Sequence, residues 1–405
     1  MNKLKLALLV IAVFTTLSQC HFPTNHSASY ESENASQSLP SAKKLFAFQG
    51  NGKDHNATVL RDVYTETSIA NIGFPAINDD LIRGLKQQLK VLKYRKAADI
   101  KSFGKVEINT EKLEKTIREL LKMKDIDIPN VSNTLSAYQL NGEDGKGNVF
   151  FTGYYTPVLK VSKEKTIRFQ YPFYARPSGK TASFPTRSQI DGEGVLLGKE
   201  LELAYAENLA DIYFMQVQGS GVVQYPDGSR EIFAYAGSNG HSYSSIGKYM
   251  IDKGHTTPAK VSLTWIKRFL AKNPDLEKEI LFTNNSYIFF ERAKYQKTPK
   301  GAGIVPLTTD YSIAVDPRYI PLGSCLLSAV PIINKKNKVV SHEYRLLVAQ
   351  DKGGIIKGTG HVDLYCGVGV QGRKKASALH HYGKMWLLLP KEDKTAPKDD
   401  ILATL

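Results

Sequence analysis

Residues 346–369 read LLVAQDKGGIIKGTGHVDLYCGVG, and the fold turns on how this stretch is parsed. Leu346–Gln350 is an apolar run of strand length that ends at Asp351, and Gly353-Gly354 supplies a turn directly after it. Alternation then begins again: His361, Asp363 and Tyr365 fall on one strand face, while Val362, Leu364 and Cys366 fall on the other, expected to point inward. A carboxylate inside a strand is disfavoured. Asp363 is nevertheless flanked by strand on both sides, so it reads as placed for chemistry. Upstream, SIAVDPRYIPLGS (312–324) repeats the pattern, with an alternating strand Ser312–Val315 ending at Asp316 and held by Pro317. The ordinary reading of Asp316 and Asp351, each beside a turn, is as turn caps.

Working outward, Val149–Tyr155, Ile212–Val217 and Arg345–Gln350 also alternate or run apolar at strand length, broken by Gly, Pro and Asn-Gly turns. Helical spacing is confined to a few places. Asn78 can cap a helix carrying Leu81, Leu85, Leu89 and Leu92. Thr110 or Asn109 can cap one carrying Leu113, Ile117 and Leu120. Shorter helices are expected over 244–253 and 261–270, the second with Trp265 and Phe269. The class that follows is mainly β with some helices (α+β), built from short strands as in β-barrels rather than from a doubly wound sheet. The chain has 405 residues, enough for two domains, and its 42% hydrophobic content excludes a disordered, collagenous or multi-span membrane chain. With 3 Cys there is no disulfide framework. The formal charge of +15 asks for an acidic partner or surface.

The first residues read as an export signal. Lys3 and Lys5 precede an apolar segment, Leu6–Leu17, too short to span a bilayer. Leu17-Ser18-Gln19-Cys20 resembles a bacterial lipobox, with Gln19 where a small residue is usual, which makes Cys20 the lipidation site. His21 in the sorting position favours the outer membrane, so the expected address is its periplasmic face. Residues 20–44 are rich in Ser, Asn and Glu and read as a flexible tether, and residues 390–405 as a frayed tail.

Beyond the aspartate segments, several stretches carry a family resemblance: FTGYYTP (151–157), QVQGSG (216–221), DGS (227–229), YAGSNGHSYSSIGKYMIDKG (235–254), NNSYIFF (284–290) and HHYGKMWLL (380–388). Together with AVDP, AQDKGGIIKG and DLYCGVG they resemble the membrane-bound lytic murein transglycosylase A family over residues 134–389. The resemblance implies a double-psi β-barrel formed by 45–157 and 301–389. A smaller β-rich, barrel-like domain over 158–300 would be inserted between them, with a substrate groove separating the two. It implies cleavage of the β-1,4 bond between N-acetylmuramic acid and N-acetylglucosamine in peptidoglycan, leaving a 1,6-anhydro end, without cofactor or metal. By motif position Asp363 is the single acid.

The chemistry is consistent with one carboxyl. Glycosidases ordinarily need two, because a second must activate water or act as nucleophile. Attack by the muramic acid's own C6 hydroxyl removes that need, since well-oriented internal nucleophiles reach effective molarities of roughly 10⁵ M or more. Asp351, Asp316 and Thr152 are the candidates for supporting the acid. Gly153, Tyr154, Gln218, Gly219, Ser220 and Gly354 are those for contacting the glycan, with Tyr154 or Tyr155 expected to stack on a sugar ring. Two other classes fit parts of the sequence. A metal-dependent hydrolase could use His361 and Asp363 with Asp351 and the His380-His381 pair, though adjacent strand histidines are expected to point apart. A murein-binding module would hold the glycan without cutting it. An exported chain without a nucleic-acid motif does not suggest a nucleic-acid partner. Cys325 and Cys366 read as buried, without catalytic role, and as free thiols more than as a bridge.

Overall fold

The computed structural model describes residues 29–30, 63–94, 101–123, 128–181, 184–258 and 260–392. The export signal and Cys20 lie outside the described residues. So does the expected tether, except that Ser29–Tyr30 forms a two-residue strand against His342 and Glu343. Pro390, placed at the start of a tail by the sequence, instead ends the strand His380–Pro390 and is buried opposite Leu135.

Six strands close on themselves. Val339–Lys352 pairs with Ser312–Val315, which pairs with His361–Val368, then Val149–Thr156, then His380–Pro390, then Cys325–Ile333, which returns to Val339–Lys352. Two of these contacts are parallel: Ser312–Val315 with Val339–Lys352, and His361–Val368 with Val149–Thr156. Closure removes the open edges that a sheet of this size would otherwise expose. Leu326, Leu327, Leu346–Ala349, Val362 and Leu364 are buried in one hydrophobic core, shared between the barrel and the elements packed on it. Leu135–Leu140 and Tyr64–Thr67 extend the sheet on one side.

Two helices, Asp79–Tyr94 and Thr110–Lys122, lie over this barrel. They begin where the sequence places their caps: Asn78 Oδ1 accepts from the Leu81 amide at 2.9 Å, and Asn109 Oδ1 from the Lys112 amide at 2.8 Å. Leu81, Leu85, Leu113, Ile117 and Leu120 are buried against the barrel, each worth on the order of 1.5–3 kcal/mol. A polar seam fixes the register of the first helix. Gln88 donates to the Ser324 carbonyl at 2.8 Å, and Gln350 donates to the Gly84 carbonyl at 3.1 Å while accepting from Ser312 at 2.6 Å.

A second sheet of six strands occupies 158–294, in the order Ile288–Lys294, Arg230–Ser238, Gly221–Gln224, Val158–Ser162, Glu202–Ala206, Tyr171–Tyr174. A bridge between Ala175 and Phe290 joins its two ends, giving it a barrel-like form. Inside this region Arg187 is buried with Asp191 at 3.3 Å and lies between the rings of Tyr213 and Tyr287, 4.7 and 5.0 Å from their centroids. Its Nε and Nη2 donate to the carbonyls of Asn284 and Ser286, so the cation is fully partnered.

One element differs from the sequence reading. Ile212–Val217 is not a strand but part of the helix Leu209–Gln218. Ile212 and Met215 pack into one core, and Leu209, Ala210, Tyr213 and Phe214 into another. A helix buried on nearly all sides shows no amphipathic period, and its short apolar run is indistinguishable from a strand by pattern. In the helix Leu263–Lys272, Ile266 and Leu270 are the buried residues, while Trp265 and Phe269 stack on each other half-exposed.

Candidate active site

Asp363 sits in the middle of its strand, paired with Ala314 on one side and Thr152 on the other. That register puts the Thr152 hydroxyl next to its carboxylate, and Thr152 Oγ1 donates to Asp363 Oδ1 at 2.9 Å. The same oxygen lies 2.9 Å from His361 Nε2 and 3.4 Å from the Val362 carbonyl. Burial pushes the Asp363 carboxyl up to about 7; the nearby Asp351 charge adds to the rise and the Thr152 hydrogen bond opposes it. Half of this group is therefore protonated near neutral pH, the condition for an acid that must later act as a base.

Asp351, near the end of Val339–Lys352 and on the other side of Ala314 from Asp363, is held differently. Its Oδ1 accepts from the Ala302 amide at 2.8 Å and the Lys352 amide at 2.9 Å, and its Oδ2 from the Tyr154 hydroxyl at 2.9 Å. Burial raises its pKa as well, but these three donors counteract the rise. Two buried carboxyls thus differ in hydrogen-bond supply: Asp351 accepts from three donors, Asp363 from the Thr152 hydroxyl.

Asp316 plays another part. Its carboxylate is engaged by the Arg318 guanidinium at 2.6–3.1 Å, by the Arg318 amide at 3.1 Å and by the Gly358 amide at 3.0 Å. Burial pushes its pKa up, yet the Arg318 and Gly358 bonds outweigh this and hold it below the ordinary value. None of these bonds goes to Asp363. Asp316 pins the loop that delivers the Asp363 strand, a turn-capping role. Glu143, which the sequence reading did not single out, completes that hold: its Oε1 accepts from the Thr359 amide at 3.2 Å and the Gly360 amide at 3.4 Å. It sits in a polar turn, NGEDGKG (141–147), with no local pattern that marks it.

The expected glycan contacts are distributed unevenly. Tyr154 is half-buried, gives its hydroxyl to Asp351, and has its ring 5.2 Å from that of Tyr365. Tyr155 is buried, and its amide donates to Gln218 Oε1 at 2.9 Å, a bond from the barrel strand to the last residue of the helix Leu209–Gln218. Gly153 is required by packing: a Cβ there would stand 2.6 Å from the Ala376 Cα of the helix Gly369–Ala378. Gly219 caps the helix Leu209–Gln218 with φ of 80°. Ser220 is half-buried beside it, and Gly354 faces open space in the turn after Asp351. Tyr365 shares the Asp363 face, as alternation requires, but is fully buried and bonded to Thr156 at 2.8 Å.

The histidines do not converge with the aspartates on a cation. Among the described residues no three His, Cys, Asp or Glu side chains are grouped to hold a metal ion. His380 and His381 do not point apart; their rings stack at 4.5 Å and both face Asn337, because His380 is the first residue of its strand, where alternation is not yet imposed. Cys325 and Cys366 are free buried thiols, and burial pushes the former up to about 12.

Family models match two parts of the chain: the MltA specific insert domain over residues 150–291, and the 3D domain over 311–389, a span containing all three aspartates. The membrane-bound lytic murein transglycosylase A of Escherichia coli K12 is 41% identical over 266 residues, covering 65% of this chain and 70% of that protein. The Vibrio cholerae protein of the same name is 40% identical over 257 residues, covering 63% and 69%. Among solved structures, E. coli MltA with bound chitohexaose superposes with a TM-score of 0.69 at 32% identity, covering 82% of this chain and 95% of that one. The membrane-bound lytic murein transglycosylase from Agrobacterium tumefaciens gives 0.67 at 26% identity, covering 81% and 97%. With the double-psi β-barrel, the inserted second sheet and the paired carboxyls in place, the chain belongs to the membrane-bound lytic murein transglycosylase A family.

Proposed function

We propose that Asp363 is the single acid and base of a peptidoglycan lytic transglycosylase. The enzyme cleaves the β-1,4 bond between N-acetylmuramic acid and N-acetylglucosamine and leaves a 1,6-anhydromuramic acid end. Protonated Asp363 donates to the glycosidic oxygen as the bond from that oxygen to C1 breaks. The C6 hydroxyl of the same muramic acid attacks C1, and its proton passes to the Asp363 carboxylate, which restores the acid. No water enters and no second carboxyl is consumed. Burial keeps Asp363 protonated before the reaction, with the Asp351 charge adding to the rise; Asp351, fixed by Tyr154 and two amides, is not itself a proton donor in it. The observation that carries this reading is a recessed carboxyl raised to about 7, with Thr152 as its side-chain hydrogen-bond partner.

The glycan is proposed to run between the barrel (45–157 and 301–389) and the inserted domain (158–300), meeting Gln218, Gly219, Ser220 and Gly354. The E. coli relative with bound chitohexaose supports a β-1,4-linked amino-sugar oligomer as the kind of chain accommodated. The relatives are named as membrane-bound. For this chain we propose attachment through a lipid on Cys20, with the body on the periplasmic face of the outer membrane. The acid's role is tested by digesting purified murein with Asp363→Asn and analysing products by mass spectrometry. Anhydro-muropeptide release should fall by at least about 10³-fold, and a folded variant with wild-type release would overturn the assignment.

A further inference from the structure

His361 has no part in the proton transfers above, yet it is buried in the same site. Its Nε2 is 2.9 Å from Thr152 Oγ1, and that oxygen is 2.9 Å from Asp363 Oδ1. A threonine hydroxyl has one proton to give, and apart from turning it to the Val362 carbonyl at 3.4 Å, the chain of three groups can run in two directions. In the first, His361 Nε2–H donates to Thr152, and Thr152 donates to Asp363 Oδ1. The acid's own proton then resides on Oδ2, available to a leaving oxygen. In the second, Asp363 Oδ1–H donates to Thr152 and Thr152 donates to His361; the acid's proton is then spent inside the protein and the group cannot act on a sugar.

We infer that His361 is a positioning residue, held as the Nε2–H tautomer, that orients the Thr152 hydroxyl toward Asp363 and so keeps the catalytic proton on the outward carboxyl oxygen. The surroundings favour a neutral ring: burial pushes its pKa down to about 4, and its neighbour on the adjacent strand is the Phe150 ring, 5.6 Å between centroids. A neutral imidazole carries one N–H, and placing it on Nε2 commits the hydroxyl's lone pair rather than its proton. The Val362 carbonyl, at 3.4 Å, is the alternative acceptor to which Thr152 would turn without His361. This role rests on Asp363 being the acid.

The test compares His361→Phe, His361→Gln, Thr152→Val and the His361→Phe/Thr152→Val pair in the full chain, measuring anhydro-muropeptide release from pH 5 to 9. The titratable groups that interact with Asp363 are Asp351, Tyr154 and Cys366; burial pushes the tyrosine and the thiol above that range, and all four variants retain all three. His361→Phe should lower kcat about tenfold with KM little changed. It should also move the alkaline limb upward, because a weakened Thr152 donor no longer favours the carboxylate. His361→Gln, whose amide can donate from the Nε2 position, should recover most of the rate, and the double variant should be no worse than Thr152→Val. A wild-type pH profile in His361→Phe, or losses that simply add, would overturn the role. Nitrogen-15 NMR of histidine-labelled wild-type protein tests it without any folding question: the His361 resonance must report Nε2–H, and an Nδ1–H tautomer refutes it. The two readings fail separately. An active Asp363→Asn removes the acid assignment, whereas an inactive Asp363→Asn beside an unaltered His361→Phe removes only the relay.

Discussion

At the scale of single residues, catalysis depends on one carboxyl being costly to ionise. Its folded-state pKa, about 7, lies above the roughly 3.9 of an unfolded aspartate. The stability conferred by the neutral form is fully present below pH 4, is lost as pH rises toward 7, and levels off above. Two outcomes follow from one shift. Turnover should decline as pH rises through about 7, because the acid form needed for the first step disappears. Asp363→Asn, which carries no charge to bury, should melt higher than wild type by a few °C at pH 8, corresponding to on the order of 2 kcal/mol, and by much less at pH 4.5. Calorimetry at the two pH values checks this, and an equal gain at both would show that the carboxyl is not costly to ionise in the fold.

At the scale of elements, the site is precise because its strands are locked by close backbone approaches. Gly153 lies in the strand that supplies Thr152, and the helix Gly369–Ala378 passes over it with no room for a methyl group. Gly153→Ala should therefore shift that helix or bend the strand. A loss of about 1–3 kcal/mol in denaturant unfolding is expected, typical of overpacking, together with a fall in turnover as Thr152 moves from Asp363. Unchanged stability would mean that the helix yields freely and that the glycine serves the substrate instead. The loop 353–360 is under similar constraint. Asp316 and Glu143 hold its last amides from opposite sides, so the Asp363 strand starts from a fixed point.

At the scale of the whole molecule, two hydrophobic cores carry the two sheets, and the Tyr155–Gln218 bond ties the barrel to the helix Leu209–Gln218. The chain leaves the barrel at Pro157 and re-enters it at Ser312, so any movement of the inserted region is felt at the strand bearing Thr152. No helix among the described residues is long and apolar enough to cross a membrane. The membrane attachment proposed above, a lipid on Cys20, has its own test. Cys20→Ser should release the protein into the soluble periplasmic fraction and abolish metabolic labelling by a fatty acid, with turnover on soluble glycan fragments unchanged. Retention of the variant in the membrane fraction would point to the basic surface as the anchor.

Much of this was determined by local rules. The caps Asn78 and Asn109 act over one turn of helix, strand alternation separates Asp363 from Val362 and Leu364, and Gly and Pro mark the turns; each depends on residues a few positions apart. The motif segments singled out Asp363, the proposed acid, and Thr152, which the strand register places beside it. Tertiary structure decided what depends on distant pairs. Whether 212–217 is helix or strand rested on two cores closing around it, which no period in the sequence records. Asp316 and Asp351 look alike as strand-end aspartates, yet Arg318 and Gly358 claim one while Tyr154 and Ala302 claim the other. The tie of the Tyr154 hydroxyl to Asp351, 197 residues away, exists only once the barrel closes. The pKa of Asp363 is the clearest case: it comes from burial, and burial is a property of the closed barrel rather than of any segment within it.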